Sequence, residues 1–174
     1  MKKIKMLLIT IAMLLPSLAS ADVPAWEWGP KYMGEMHIGY GTSRKQNGYK
    51  AYCGRAMLGT LQGVQLSNYL SAAVGVDAVM FTHYYKGQDM RFNMDVYLDL
   101  RGYYPLSDNF APFLDLGLGT FFNVHPWNDG QTAFFCQFGP GFRYRKFNFS
   151  CGLQQHDTGP TGLTTFYTKI GLYF

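Results

Sequence analysis

Glu35, Asp77, Asp95, Asp99 and Asp115, with Arg55, Arg101, Arg143 and Lys169, are the residues of this chain best placed to do chemistry together. Each falls on one parity of a local two-residue alternation, opposite a row of more apolar side chains, and His37 and His156 share that parity. Five acids gathered with four bases describe a polar interior of ion pairs and hydrogen bonds, or else a narrow ion path. An unpaired buried charge is costly, so both signs should occur side by side. Asp95, Asp99 and Arg101 lie on one face of one segment, which predicts Arg101 paired with carboxylates.

Hydrolysis needs a nucleophile, a base and a group that orients the base. His156-Asp157-Thr158 supplies a histidine with a hydroxyl two residues on, but no Asp or Glu follows Asp157. The orienting carboxylate is therefore missing from that stretch, and a histidine beside a strand end is the plainer reading. His125, Asn128 and Asp129 offer one imidazole and one carboxylate, too few to fill a metal coordination sphere. Pro126 and Trp127 beside them suit an aromatic interface. Gly117-x-Gly119 sits within an alternating segment rather than before a helix, so it spares room for bulky neighbours instead of cradling phosphate. Catalytic, cofactor and metal residues are expected to be absent, and no pattern specifies a reaction.

The elements that must position these residues read as eight strands, because period two puts successive side chains on opposite faces. The segments run from about Tyr32 to Tyr40, Tyr52 to Val64, Tyr69 to Met80, Asn93 to Arg101, Leu114 to Phe122, Phe134 to Arg143, Phe147 to Gln154 and Thr165 to Phe174. The fourth is the clearest: Met94, Val96, Leu98 and Leu100 alternate with Asn93, Asp95, Tyr97, Asp99 and Arg101. Short turns are expected at Gln65 to Asn68, Pro105 to Asn109 and Tyr144 to Lys146. Longer connections span Thr42 to Ala51, Phe81 to Phe92, Asn123 to Gln131 and Gln155 to Gly162. Short turns after even strands and long loops after odd ones are the asymmetry of a transmembrane barrel with periplasmic termini. An even strand number lets the sheet close and leaves no open edge in lipid. The predicted fold is all-β, an eight-stranded antiparallel up-and-down transmembrane β-barrel.

The strings Asp99-Leu100-Arg101-Gly102-Tyr103-Tyr104-Pro105-Leu106 and Pro112-Phe113-Leu114-Asp115-Leu116-Gly117-Leu118-Gly119 resemble small outer-membrane β-barrel proteins of the OmpA/OmpX-like superfamily, especially the forms of Bacteroides-type bacteria. The resemblance spans nearly all of the chain after its leader, and it implies a fold more sharply than an activity. His156-x-Thr158 also resembles the His-x-Ser of outer-membrane lipid A deacylases, with Thr where that family has Ser. In that family a later carboxylate orients the histidine, and here none follows. A lipid-modifying enzyme and a narrow channel are thus the alternatives to a structural or surface-interaction role with a plugged polar lumen.

Composition agrees with a barrel in lipid. Aromatic residues make up 17%, charged residues only 15%, and there are 20 glycines. Lys2, Lys3 and Lys5 precede the apolar run Met6 to Leu15, and Ala19-Ser20-Ala21 offers a cleavage site, so residues 1–21 read as a cleaved signal peptide. Removing those three lysines takes the formal charge from +4 to +1, which argues against a nucleic-acid partner. Residues 22–31 read as a periplasmic segment, its Trp26 and Trp28 anchoring at the inner leaflet, and residues 32–174 as the barrel. Cys53, Cys136 and Cys151 leave at least one thiol unpaired or paired between molecules, and Cys136 and Cys151 fall on the lipid-facing parity. Phe174 ends the last alternating strand as an assembly signal for the outer-membrane insertion machinery. The expected partners are that machinery and outer-membrane lipids; a surface ligand is not specified, and no cofactor is implied.

Overall fold

Alternation of polar and apolar residues over ten or more positions favours extended backbone with two chemically different faces. In a computed structural model the described residues are 30–43, 53–81, 91–125, 132–156 and 163–174. They form β1 (Lys31–Ser43), β2 (Cys53–Ser67), β3 (Leu70–Phe81), β4 (Arg91–Tyr103), β5 (Phe110–His125), β6 (Thr132–Tyr144), β7 (Phe147–His156) and β8 (Leu163–Tyr173). Each strand pairs antiparallel with the next, and β8 returns to β1, so the sheet is a closed barrel. Beyond β8, Phe174 completes the seam: its N–H donates to Gly34 O at 2.9 Å, and Gly34 N–H donates back to Phe174 O at 2.8 Å.

The strands outrun the alternating segments, chiefly toward one end. β1 extends three residues past Tyr40, β5 starts at Phe110 rather than Leu114 and runs on to His125, and β7 includes His156. Backbone pairing needs no apolar side chain, so Gly41, Thr42 and Gln155 continue the ladder where the hydrophobic pattern has faded. At the opposite end the connections are tight. Asn68-Tyr69 joins β2 to β3, Tyr104 to Asn109 joins β4 to β5, and Arg145-Lys146 joins β6 to β7. Arg145 takes φ 53°, the left-handed value that a two-residue hairpin asks of its first central residue. β2 runs three residues past Val64, with a register shift against β3 between Gln65 and Ser67. Residues 1–29 and the connections 44–52, 82–90, 126–131 and 157–162 lie outside the described residues, as therefore do the signal-peptide and tryptophan-anchor expectations.

The two faces divide by chemistry. Ile38, Leu58, Leu98, Leu114, Phe138, Leu153 and Ile170 point outward and are each more than half exposed. Glu35, Asp77, Asp95 and Arg55 point inward and are buried. A continuous apolar belt of this size is far beyond the patches a monomer shows to water. Cys136 and Cys151 lie on the outward face as free thiols. Eight strands enclose a space that side chains alone can fill, and inward glycines set where the large ones go. A methyl group at Gly59 would overlap Asp77 and stand 2.7 Å from His37 Nε2; one at Gly117 would stand 2.9 Å from Gln137 Nε2.

Candidate functional site: the charged lumen

All nine charged residues singled out on the inner parity are buried inside the barrel, Arg143 being the most exposed at 7%. They are not one cluster but a column of linked groups. Toward the loop end, β2 contributes Arg55, β4 Asp95 and β7 both Gln154 and His156. Arg55 Nη1 lies 2.9 Å from His156 Nδ1, and His156 Nε2 lies 3.1 Å from Asp95 Oδ2. The tautomer that gives each contact a donor has Nε2–H donating to Asp95 and the Nδ1 lone pair accepting from Arg55. Arg55 Nη2 also donates to Gln154 Oε1. The rings of Phe121 and Phe135 stand 5.0 Å from the imidazole on either contact.

Gln154 passes the chain inward. Its Nε2 donates to Gln137 Oε1 at 2.9 Å, and Lys169 Nζ donates to the same oxygen at 2.9 Å. Lys169 reaches Asp77 Oδ2 at 2.9 Å, while Tyr97 OH donates to Asp77 Oδ1 at 3.0 Å. His37 Nε2 approaches that same oxygen at 2.9 Å, and His37 Nδ1 faces Glu35 Oε1 at 3.6 Å. Each imidazole nitrogen of His37 therefore faces a carboxylate. Charge-assisted contacts of this kind are stronger than neutral ones, which is how the interior tolerates so many ionised groups.

Toward the short-turn end, Arg101 donates to Glu35 through both terminal nitrogens and stands 2.9 Å from Asp99 Oδ1 through Nε. Asn148 Nδ2 donates to Glu35 Oε2 at 2.6 Å, and Gln137 Nε2 to Asp99 Oδ2 at 3.2 Å. Arg101 lies over Phe113 at 5.0 Å, and Arg143 is held between Tyr103 at 5.0 Å and Tyr173 at 4.7 Å. Arg143 and Tyr173 both donate to Gln65 Oε1. Asp115 takes the Tyr167 hydroxyl at 2.9 Å.

Arg101 meets carboxylates as expected, Asp99 from its own strand and Glu35 from β1, while Asp95 on the same strand face turns to His156. The reading of His156 changes: it is 1% exposed inside the lumen, and its carboxylate partner comes from the earlier strand β4 rather than from later in the chain. The amides Gln137, Gln154 and Asn148 and the phenols Tyr97 and Tyr167 complete the network, and their parity in the sequence already puts them on the inner face. Asp157 and Thr158, like Asn128 and Asp129, lie outside the described residues, as does the side chain of His125. Among the described residues no group of three or more His, Cys, Asp or Glu is placed to hold a metal ion.

No protein-family model matches the chain, and no curated protein matches its sequence. Solved structures do match its shape. The outer membrane enzyme PagL is 11% identical with a TM-score of 0.54, over 79% of this chain and 98% of that one. Neisserial surface protein A is 12% identical with a TM-score of 0.55, over 84% of this chain and 99% of that one. The Yersinia pestis outer membrane protein Ail is 12% identical with a TM-score of 0.51, over 83% and 100%. This chain therefore has the fold of the small eight-stranded outer-membrane barrels, the architecture that its resemblance to the OmpA/OmpX-like superfamily implied.

Proposed function

We propose that the protein is an outer-membrane barrel with a structural or surface-interaction role, its lumen closed by its own charged side chains. The observation that carries this is the lumen column itself. From Asp95 and His156 at one end to Arg143 at the other, buried polar groups occupy the interior, most of them bonded to one another. The outward belt of Leu, Ile and Phe, with exposed Tyr32, Tyr69, Tyr104 and Tyr144 toward the short-turn end, supports a bilayer setting with that end at an interface. Outer-membrane lipids and the insertion machinery are then its partners during and after assembly. Neisserial surface protein A and Ail, two of the similar structures, agree in shape with such a role.

A hydrolase is the second reading, favoured by the His156–Asp95 pair and by the likeness of shape to PagL. A general base needs a free nitrogen lone pair to take a proton from its nucleophile. Here Asp95 holds Nε2 and Arg55 occupies Nδ1, and the ring is sealed from the lipid by the barrel wall. Geometry therefore speaks against catalysis at His156. Incubation of the purified protein with lipid A in detergent micelles should leave every acyl chain in place by mass spectrometry. Loss of a chain in the wild type that disappears in His156→Ala or Thr158→Ala would replace the structural role with a deacylase.

A further inference from the structure

We propose that Gln62, on the outward face of the β1–β2 seam, donates a hydrogen bond to an ester carbonyl of a diacyl phospholipid; the inference rests on the outer-membrane reading above, which surrounds this face with lipid. Even-numbered positions of β2 point outward, so Gln62 stands in one row with Leu58, Thr60 and Val64. Among the described residues, the strands carry one other outward amide, Gln155, which is exposed at the loop end of β7. Gln62 is instead half-buried within β2, between its cross-strand neighbours Gly34 on β1 and Val74 on β3. The Phe174 ring covers Gly34, filling the space where a side chain there would stand.

A polar relay fixes the amide. Thr60 spends its single hydroxyl proton on the Glu35 backbone O at 2.9 Å, so its oxygen can only accept from Gln62. Gln62 Nε2 therefore faces Thr60, at 2.8 Å, and Oε1 accepts from the Tyr32 hydroxyl. One Nε2–H is committed in this way; the other has no acceptor among the described residues. Outward threonines elsewhere close on backbone, Thr120 on Ala133 O at 3.1 Å and Thr168 on Tyr40 O at 3.3 Å. A bare amide N–H is costly to place against hydrocarbon. Depth identifies what meets it. Tyr32 belongs to the exposed tyrosine rim and pairs with Val64, and Gln62 lies one outward rung further in. At a strand tilt of about 40°, that rung lies about 5 Å below the rim. Headgroup phosphates lie above this level and methylenes below it, and the acceptors a bilayer offers there are the glycerol ester carbonyls. The exposed Val64 and Val74 flank the amide and give the acyl chains an apolar path.

The test uses the folded wild-type barrel in detergent, titrated with a diester phosphatidylethanolamine or its diether analogue of equal chain length and followed by native mass spectrometry. The ether keeps the headgroup and lacks the carbonyls. The wild type should retain the diester about fivefold better than the diether, the weight of one hydrogen bond. Gln62→Leu, which suits a lipid-facing wall, should retain the two equally, while Gln155→Leu should keep the wild-type preference. Equal retention by the folded wild type, a preference that survives in Gln62→Leu, or its loss in Gln155→Leu would overturn the site alone. A wild-type dimer that Gln62→Leu dissociates would also overturn it, by giving the free N–H to a second copy. Failure of the wild type to fold into bilayers of either lipid would overturn the outer-membrane reading and the lipid site with it.

Discussion

Arg101 is buried with its guanidinium on Glu35 and Asp99 and its flat face over Phe113. Truncating one partner of such a group leaves uncompensated charge in a low-dielectric interior and costs about 3–5 kcal/mol. Arg101→Met should therefore lower the urea midpoint of the barrel in lipid bilayers substantially. Leu98→Ile, on the outward face of the same strand, exchanges one lipid-facing aliphatic for another and should cost less than about 1.5 kcal/mol. Equal small effects would mean that inside and outside are inverted. Strict alternation makes this division legible in the sequence: Asp95, Asp99 and Arg101 lie indoors because Met94, Val96, Leu98 and Leu100 do not. Which carboxylate meets which cation was not legible. Glu35 reaches Arg101, and Asp77 reaches Lys169, across the barrel from strands far apart in the chain. That choice depends on the stagger of the strands, and a two-residue period carries no information about stagger.

At the scale of elements, β6 contains a residue that a sheet interior rarely accepts. Pro140 has no N–H to give a neighbour. Pairing with β5 runs unbroken through Leu114 and Pro140, whereas pairing with β7 lapses between Phe138–Leu153 and Gly141–Ser150. The missing donor therefore faces β7. Gly139 and Gly152 sit in the same gap, where a methyl group on either would collide with the opposing backbone. The β6–β7 ladder is therefore interrupted in mid-strand. Pro140→Ala restores a donor and should slow amide exchange along that seam, raising stability by about 0.5–1.5 kcal/mol. Unchanged exchange at β7 would show that the lapse does not come from the proline. The eight strands themselves were readable from alternation and turn residues. Their true lengths were not, since ladder hydrogen bonds continue through Gly41, Thr42 and Asn123 after side-chain patterning stops.

At the scale of the whole molecule, Phe174 adds a rung to the β1–β8 seam that closes the barrel. Phe174 exchanges two backbone hydrogen bonds with Gly34, and its ring lies where any side chain at position 34 would sit. Deleting Phe174 removes that clasp together with the terminal aromatic of the proposed assembly signal. Folded, heat-modifiable protein in the outer membrane should fall, and an unchanged yield would contradict the role given to it. Closure also decides what the interior can be. The proposed closed lumen rests on five carboxylates, four cations and their amide and phenol partners gathered inside a ring of eight strands. Single-channel recording of the wild-type barrel in planar bilayers tests this most directly. Folded insertion without discrete conductance steps is the expected result, and reproducible unitary steps from the wild type would contradict a lumen closed by its own charges.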